Sequence, residues 1–170
     1  MPVTPFHFGA GLLAKAALPR YVSLLAFGVS QVVIDCETAY FMLVKREWPL
    51  HRWAHTLVVG VPLGVVAGLV TSLAATVWLK HSRPTWGANV TAEAALIPAI
   101  VGGAFGGASH SLLDCIMHAD ARPFRPFSDA NPLLGVVSLP VLHLVLVAAG
   151  VVGFVLIALA AERRAEQHSS

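Results

Sequence analysis

The chain has 170 residues, of which 56% are hydrophobic and only 12% are charged, and its formal net charge is +2. Soluble domains carry about 25% charged residues, so this composition excludes a soluble enzyme, a disordered tail and a small disulfide-stabilised domain. The low net charge also excludes a nucleic-acid-binding module. The composition predicts an all-α integral membrane protein, for which the lipid bilayer takes the place of solvent.

The N-terminal region contains a short apolar segment. Residues Gly9–Leu18 are apolar apart from Lys15, and Pro19 ends the run. We expect a short membrane-embedded helix that folds back on the next span as an antiparallel hairpin, with Lys15 reaching the far interface. This hairpin would bring His7 to within about one helical turn of the depth of Asp35. A helix lying on the membrane surface is the alternative.

Four longer segments are apolar enough to cross a hydrocarbon core, which takes roughly 20 residues of helix. They are Tyr21–Val44, Thr56–Leu79, Ala94–Met117 and Leu133–Ala161, with charged and proline-containing loops between them. The sequence therefore predicts a helical bundle of four long transmembrane helices plus the short N-terminal helix. We assign residues 1–161 to one transmembrane domain and residues 162–170 to a polar, frayed tail.

Eight ionisable side chains interrupt these apolar segments or lie at their ends: His7, Asp35, Glu37, His51, His55, His110, Asp114 and His118. An aspartate at the centre of a transmembrane helix costs roughly 2.5–3.5 kcal/mol, so such groups need a compensating partner. All eight are imidazoles or carboxylates, which are ligands of divalent metals, and no lysine is among them. The sequence predicts a site for one or two divalent metal ions, with zinc favoured. The metal ligands would be His7, Asp35, His51, His55, His110, Asp114 and His118.

The spacing of these residues adds information. His51 and His55 are four residues apart, so a helix would place both on one face. His110, Asp114 and His118 continue the same spacing over eight residues, which rise about 12 Å, so one ion cannot bind both end members. If all three bind metal, Asp114 lies between two ions, as in binuclear centres whose metals are about 3.5–4 Å apart.

The predicted topology brings the eight side chains to one end of the bundle, because each lies where its helix starts or ends on that side. Gly103, Gly106 and Gly107 precede His110 by seven, four and three residues and share its helix face. A bare face lets a neighbouring helix approach closely. We therefore expect a ligand shell drawn from several tightly packed helices.

The candidate ligands also have simpler interpretations. His51 and His55 fit a solvated pair at the membrane interface, and His110 with Asp114 fits a hydrogen bond inside the bundle. The two acids of the first long span fit neutral, hydrogen-bonded carboxyl groups. His118 fits an ordinary loop residue.

The order of these motifs resembles a known family. An early His7 is followed by Asp35-Cys36-Glu37, then His51-Arg52-Trp53-Ala54-His55-Thr56, then Ser109-His110-Ser111-Leu112-Leu113-Asp114. This order is similar to that of the membrane-bound metal-dependent hydrolases, the YdjM-like inner-membrane hydrolases, and the resemblance covers residues 4–127. Glu37 stands where that family tends to have Asp, Val33-Ile34 stands where a Pro is usual before the acidic pair, and no His follows the pair directly. The resemblance implies a metal site, hydrolase activity and a bacterial inner (plasma) membrane location.

The expected function is a membrane-embedded metal-dependent hydrolase acting on a phosphate ester or other ester of a lipid-like substrate. A bound zinc ion lowers the pKa of a coordinated water molecule toward about 7. Glu37 is the candidate base, or a carboxylate that orients a ligand, and Arg52 lies between the two histidines of its motif as a second catalytic candidate. Arg122 and Arg125 suit binding of substrate phosphate. Interfacial anchoring is the alternative role of these arginines.

Other classes of function fit part of the pattern. An ion- or proton-coupled small transporter, or a metal-binding membrane protein without catalysis, is the main alternative. Transport sites generally lie near the membrane midplane between repeated halves, whereas these residues gather at one end of a chain without a repeat. A bis-histidine haem protein would leave the carboxylates unexplained. Lysines and arginines are distributed too evenly between the two sides to assign an orientation.

Overall fold

The computed structural model describes residues 5–82 and 87–169, which form helices and no strand. A single 3₁₀ turn, Pro5–His7, leads into α1 (Phe8–Ala17), and α2 (Leu24–Tyr40) continues as a π-helical turn, Phe41–Lys45. A second 3₁₀ turn, Trp53–His55, precedes α3 (Leu57–Ser82), α4 (Gly87–Ala94), α5 (Leu96–Met117) and α6 (Leu139–Ser169). The prediction of an all-α fold is confirmed.

Four helical segments are long and apolar enough to cross a membrane, and the chain is an integral membrane protein by this criterion. They are Leu24–Lys45, Leu57–Ser82, Leu96–Met117 and Leu139–Gln167. The fourth begins at Leu139 and not at Leu133, because the chain turns at Gly135, whose φ of 69° is left-handed. The frayed tail predicted from residue 162 is wrong, since α6 continues to Ser169 through a run of good helix formers.

Local sequence signals fix the starts of two helices near the candidate site. The Ser23 hydroxyl accepts a hydrogen bond from the backbone N–H of Ala26 (3.1 Å) and caps α2. The Thr56 hydroxyl accepts one from the N–H of Val59 (3.2 Å) and caps α3. His55 therefore stands directly before a well-defined helix start.

Lys15, which we expected near the far interface, has polar partners at the start of α2 and on α4. Its ammonium group donates to the carbonyl oxygen of Val22 (2.8 Å) and forms an ion pair with Glu93. The second oxygen of Glu93 accepts from the N–H of Leu25 (3.2 Å). Glu93 belongs to α4, a helix in a stretch expected to be a loop, and this ion pair ties α1 and α4 to the start of α2 at the end of the bundle opposite the candidate site.

Glycines let α3 and α5 pack with their backbones in close contact. Gly64 faces Gly103, and Gly60 faces Gly107. A Cβ atom added to Gly64, Gly103 or Gly107 would overlap the backbone of the opposite helix, and one added to Gly60 would overlap the side chain of Ser111 on α5. An added Cβ on Gly106 would overlap a serine hydroxyl on α2. The prediction that the glycine face of α5 permits close approach is confirmed.

Helix α1 lies inside the bundle, but its main partner is α6 and not the expected α2. A Cβ on Gly9 would overlap the backbone of Leu146, and one on Gly153 would overlap the backbone of Leu12. On the α2 side, α1 meets the ring of Phe27, and this bulky side chain separates the two helix backbones. The glycines of α1 and α6 thus explain the choice of partner.

Candidate metal centre

Asp114, near the end of α5, lies at the centre of the candidate site and is 3% exposed. Its Oδ2 atom is 3.2 Å from Nε2 of His110 and 3.3 Å from Nε2 of His55. Asp35 of α2 adds a second carboxylate, whose Oδ1 is 3.4 Å from Nε2 of His110. One ligand atom from each of these four residues lies within 4.8 Å of the other three, a spacing that suits one metal ion. We call Asp35, His55, His110 and Asp114 the inner group.

Three further histidines surround the same carboxylate. Nε2 of His7 is 3.5 Å from Oδ1 of Asp114, and Nε2 of His118 is 4.0 Å from the same oxygen. Nε2 of His51 is 3.8 Å from Oδ2, and the His51 ring stacks on His118 with 4.1 Å between ring centroids. We call His7, His51 and His118 the outer group. All seven residues predicted as metal ligands therefore lie together.

The segment before α3 is shaped by carboxylates from other elements. The backbone N–H groups of Leu50 and His51 donate to Asp120, and those of Arg52 and Ala54 donate to Glu37. These backbone N–H groups donate to carboxylates outside the segment and not to carbonyl groups of an α-helix. The expectation that His51 and His55 share a helix face is therefore wrong. Their rings still meet edge to face, with 4.8 Å between centroids.

Gln31 fixes the tautomer of His110. The Gln31 amide nitrogen donates to the carbonyl oxygen of Gly106 (3.0 Å), so its Oε1 faces Nδ1 of His110 (2.7 Å) and must accept from it. In the neutral ring, Nε2 of His110 then carries the lone pair. This buried nitrogen has no hydrogen-bond partner and faces the carboxylates of Asp35 and Asp114. A lone pair beside two carboxylates suits a bound cation.

Two carboxylates orient histidines in the same way. Oε2 of Glu37 lies 3.3 Å from Nδ1 of His55, and Oδ1 of Asp120 lies 2.9 Å from Nδ1 of His51. In each pair Nδ1–H donates to the carboxylate, so Nε2 is directed toward Asp114. A carboxylate on the outer nitrogen of a metal-binding histidine is a recurrent arrangement in metalloproteins.

Charge states outside the spanning helices also favour metal binding. Burial acts to raise the pKa of Asp120, but hydrogen bonds from the backbone and ring of His51 hold that pKa below its ordinary value. Burial and the neighbouring His51 ring lower the pKa of His118. At neutral pH, Asp120 is therefore ionised and His118 is neutral, which is the form that binds metal.

The predicted arginines lie around the centre and not within it. Among the described residues, the Arg52 guanidinium contacts the ring of Phe41 (3.6 Å to the centroid), the carbonyl of Pro49 and the carboxylate of Glu47. Arg122 and Arg125 line a cavity of about 300 Å³ together with Trp48, Pro49, Ala119 and Asp120. This cavity adjoins the outer group, because Asp120 is hydrogen-bonded to His51.

Sequence reasoning missed two residues of the centre, Gln31 and Asp120. Gln31 precedes Asp35 by four residues in an apolar span, so its helix face pointed to the site. Asp120 lies two residues after His118 in a loop, where no periodic pattern places a side chain.

Comparison of the chain with family models, curated proteins and solved structures gives no match. The resemblance to the YdjM-like hydrolases stays a prediction from the sequence motifs. The function is therefore argued from the geometry of the centre.

The role of Gln31 can be tested directly. We expect Gln31→Leu to lower the affinity for Zn²⁺ about 10- to 100-fold, because His110 loses the acceptor that fixes its tautomer. Competition with a chromophoric chelator measures this affinity. Ser72→Ala is the matched control, since it removes another buried hydrogen bond (Ser72 Oγ to the carbonyl of Ala94, 2.6 Å) at the far end of the bundle. Equal zinc affinities of the two variants would contradict the assigned role.

Proposed function

We propose that the chain is a membrane-embedded metal-dependent hydrolase. The observation that carries the proposal is the convergence of two histidine Nε2 atoms, from His55 and His110, on the carboxylates of Asp35 and Asp114. Two buried carboxylates require a compensating cation or proton. The ligand set is typical of zinc, and the orphaned Nε2 of His110 favours a metal ion over a proton held between the acids.

The inner group would hold a divalent ion, and the chemistry that such an ion would supply is a coordinated water molecule whose pKa is lowered to about 7. The residues of the chain hold the ligands in place. Glu37 receives two backbone N–H groups and the His55 ring, so its contacts support the role of an orienting carboxylate over that of a free base. Gln31 does the same for His110.

The cavity beside the outer group supports a phosphate-containing amphiphile as the substrate. The guanidinium groups of Arg122 and Arg125 contact backbone carbonyl oxygens and the Asp129 carboxylate, respectively. Their remaining N–H donors suit phosphate oxygens. Trp48 on the cavity wall is 69% exposed, and exposed tryptophans are typical of the membrane–water interface. A lipid-like phosphate ester could place its headgroup here while its apolar part stays in the bilayer.

The location of the chain in a membrane is part of the same proposal. We propose that the four long helices span the inner membrane of a bacterium and that α1 is embedded beside α6. The apolar lengths of the helices support the spanning arrangement, and the motif resemblance supports the bacterial location.

The hydrolase proposal is tested with purified protein in detergent, loaded with Zn²⁺ or stripped by a chelator. The two probes are short-chain phosphatidic acid, assayed by phosphate release, and p-nitrophenyl butyrate, assayed by p-nitrophenol release. We expect metal-dependent release from at least one probe. Release from neither probe by the zinc-loaded protein would overturn the proposal, and zinc uptake into proteoliposomes would then favour a transporter.

The arginine-lined cavity makes a separate prediction. We expect the double variant Arg122→Gln/Arg125→Gln to raise the KM for phosphatidic acid about 10-fold or more with unchanged zinc content, because two charged phosphate donors are lost. Arg163→Gln, on the exposed surface of α6, is the control. An unchanged KM would show that phosphatidic acid does not bind in this cavity.

A further inference from the structure

The inner group uses only part of the histidine cluster. One zinc ion needs no protein ligand beyond Asp35, His55, His110 and Asp114. Three more imidazoles nevertheless face the same Asp114 carboxylate, namely His7, His51 and His118. A single metal ion does not explain why these three imidazoles surround the Asp114 carboxylate.

His7 provides the second observation that points to a ligand. It is 2% exposed, and its Nε2 has no hydrogen-bond partner although it lies 3.5 Å from Oδ1 of Asp114. The position of His7 is supported by its neighbour Phe6, whose ring stacks on that of His143 of α6 with 4.3 Å between ring centroids. A buried, unpartnered nitrogen held against a carboxylate oxygen fits a missing cation between them.

The two oxygens of Asp114 divide the histidines. Oδ2 is the oxygen nearest to His55 and His110, whereas Oδ1 faces His7 and His118. His51 is 3.8 Å from Oδ2, and it joins the outer group through its stacking on His118. Carboxylates that bridge two metal ions use one oxygen for each ion, and such pairs of ions clamp both oxygens of a displacement reaction. We propose that Asp114 bridges two divalent ions, the second of which is bound by the outer group of His7, His51 and His118. This inference rests on the metal centre of the proposed function and adds a second ion to it.

The two ions would differ in how accessible they are to solvent and substrate. The side chains of His55 and His110 are fully buried, whereas that of His118 is 26% exposed. The outer group also adjoins the arginine-lined cavity through the hydrogen bond between Asp120 and His51. His7 and His51 are buried, so the outer ion would be accessible from the side of His118 and would be the nearer of the two to the substrate phosphate.

The experiment counts metal and measures the coupling between ions in the full-length protein. Purified protein is loaded with Mn²⁺ and desalted, and metal per chain is measured by mass spectrometry together with the electron paramagnetic resonance spectrum. We expect two equivalents and an exchange-coupled spectrum. His7→Ala and, separately, His118→Ala should each hold one equivalent with the spectrum of isolated Mn²⁺. His81→Ala, exposed at the far end of α3, should retain two coupled ions.

The outcomes separate this inference from the hydrolase proposal. One equivalent in the unaltered protein, or two equivalents without exchange coupling, overturns the bridged pair, and metal-dependent hydrolysis by such a protein leaves the proposed function standing. Two coupled ions that persist in both His7→Ala and His118→Ala overturn the outer group as their ligands. His118 at the end of α5 is partly exposed, so its variant gives a result even if His7→Ala does not fold.

Discussion

Replacing Asp114 with asparagine should remove nearly all tightly bound metal from the protein. The amide has the same size as the carboxylate but carries no charge, so packing around α5 is kept while the central anionic ligand is lost. All five histidines of the cluster lie within 4.0 Å of this carboxylate, whereas Asp35 contacts His110 alone among them. We expect the affinity for Zn²⁺ to fall by more than about 100-fold, beyond the loss typical of supporting residues.

Elemental analysis after desalting measures this loss, and circular dichroism checks that the helices are retained. Glu162→Gln, on the exposed C-terminal part of α6, removes one carboxylate charge far from the cluster and should leave the metal content unchanged. If Asp114→Asn binds as much metal as Glu162→Gln, then Asp114 and His110 form a structural hydrogen bond and the metal centre is wrong.

Replacing Gly103 with valine should both destabilise the bundle and weaken metal binding. A Cβ at this position would overlap the carbonyl oxygen of Gly64, so α3 and α5 would have to move apart. Overpacking of this kind costs typically about 1–3 kcal/mol and more where backbone must shift. Because His55 precedes α3 while His110 and Asp114 belong to α5, separation of these helices pulls the inner group apart.

Thermal unfolding in detergent and metal content should therefore fall together in Gly103→Val. Valine is a better helix former than glycine, so any loss of stability must come from packing between helices. Ala74→Val adds bulk on an exposed face of α3 and should change neither quantity. Normal stability of Gly103→Val would show that the glycine contact between α3 and α5 is not required for the fold.

The spans and the ligand candidates could be predicted from the sequence for one physical reason. In an apolar chain each ionisable side chain stands out, because burying it without a partner is costly. His110 and Asp114 interrupt an apolar helix, and the face they share with Gly103 and Gly107 follows from helical periodicity alone. The seven ligand candidates lie together as expected.

What the sequence did not reveal depends on contacts between distant segments. The segment around His51 is not α-helical because the backbone N–H groups of His51 and its neighbours donate to Asp120 and Glu37. No local sequence pattern encodes those partners. Pairing of α1 with α6 was missed for a similar reason. Lipid-facing and helix-facing positions are both apolar, so hydropathy does not say which helices touch; the small residues Gly9 and Gly153 do.

The pairing of α1 with α6 has a consequence for biogenesis. A ribosome makes α1 first and α6 last, and chains are inserted as they are synthesised. Since α1 packs mainly on α6, the segment that holds His7 gains its main packing partner only after α6 has been translated, even though the inner group is complete by the end of α5. A nascent chain released before α6 would therefore carry the four inner ligands without His7 in place, and contacts of such long sequence separation form late and slowly.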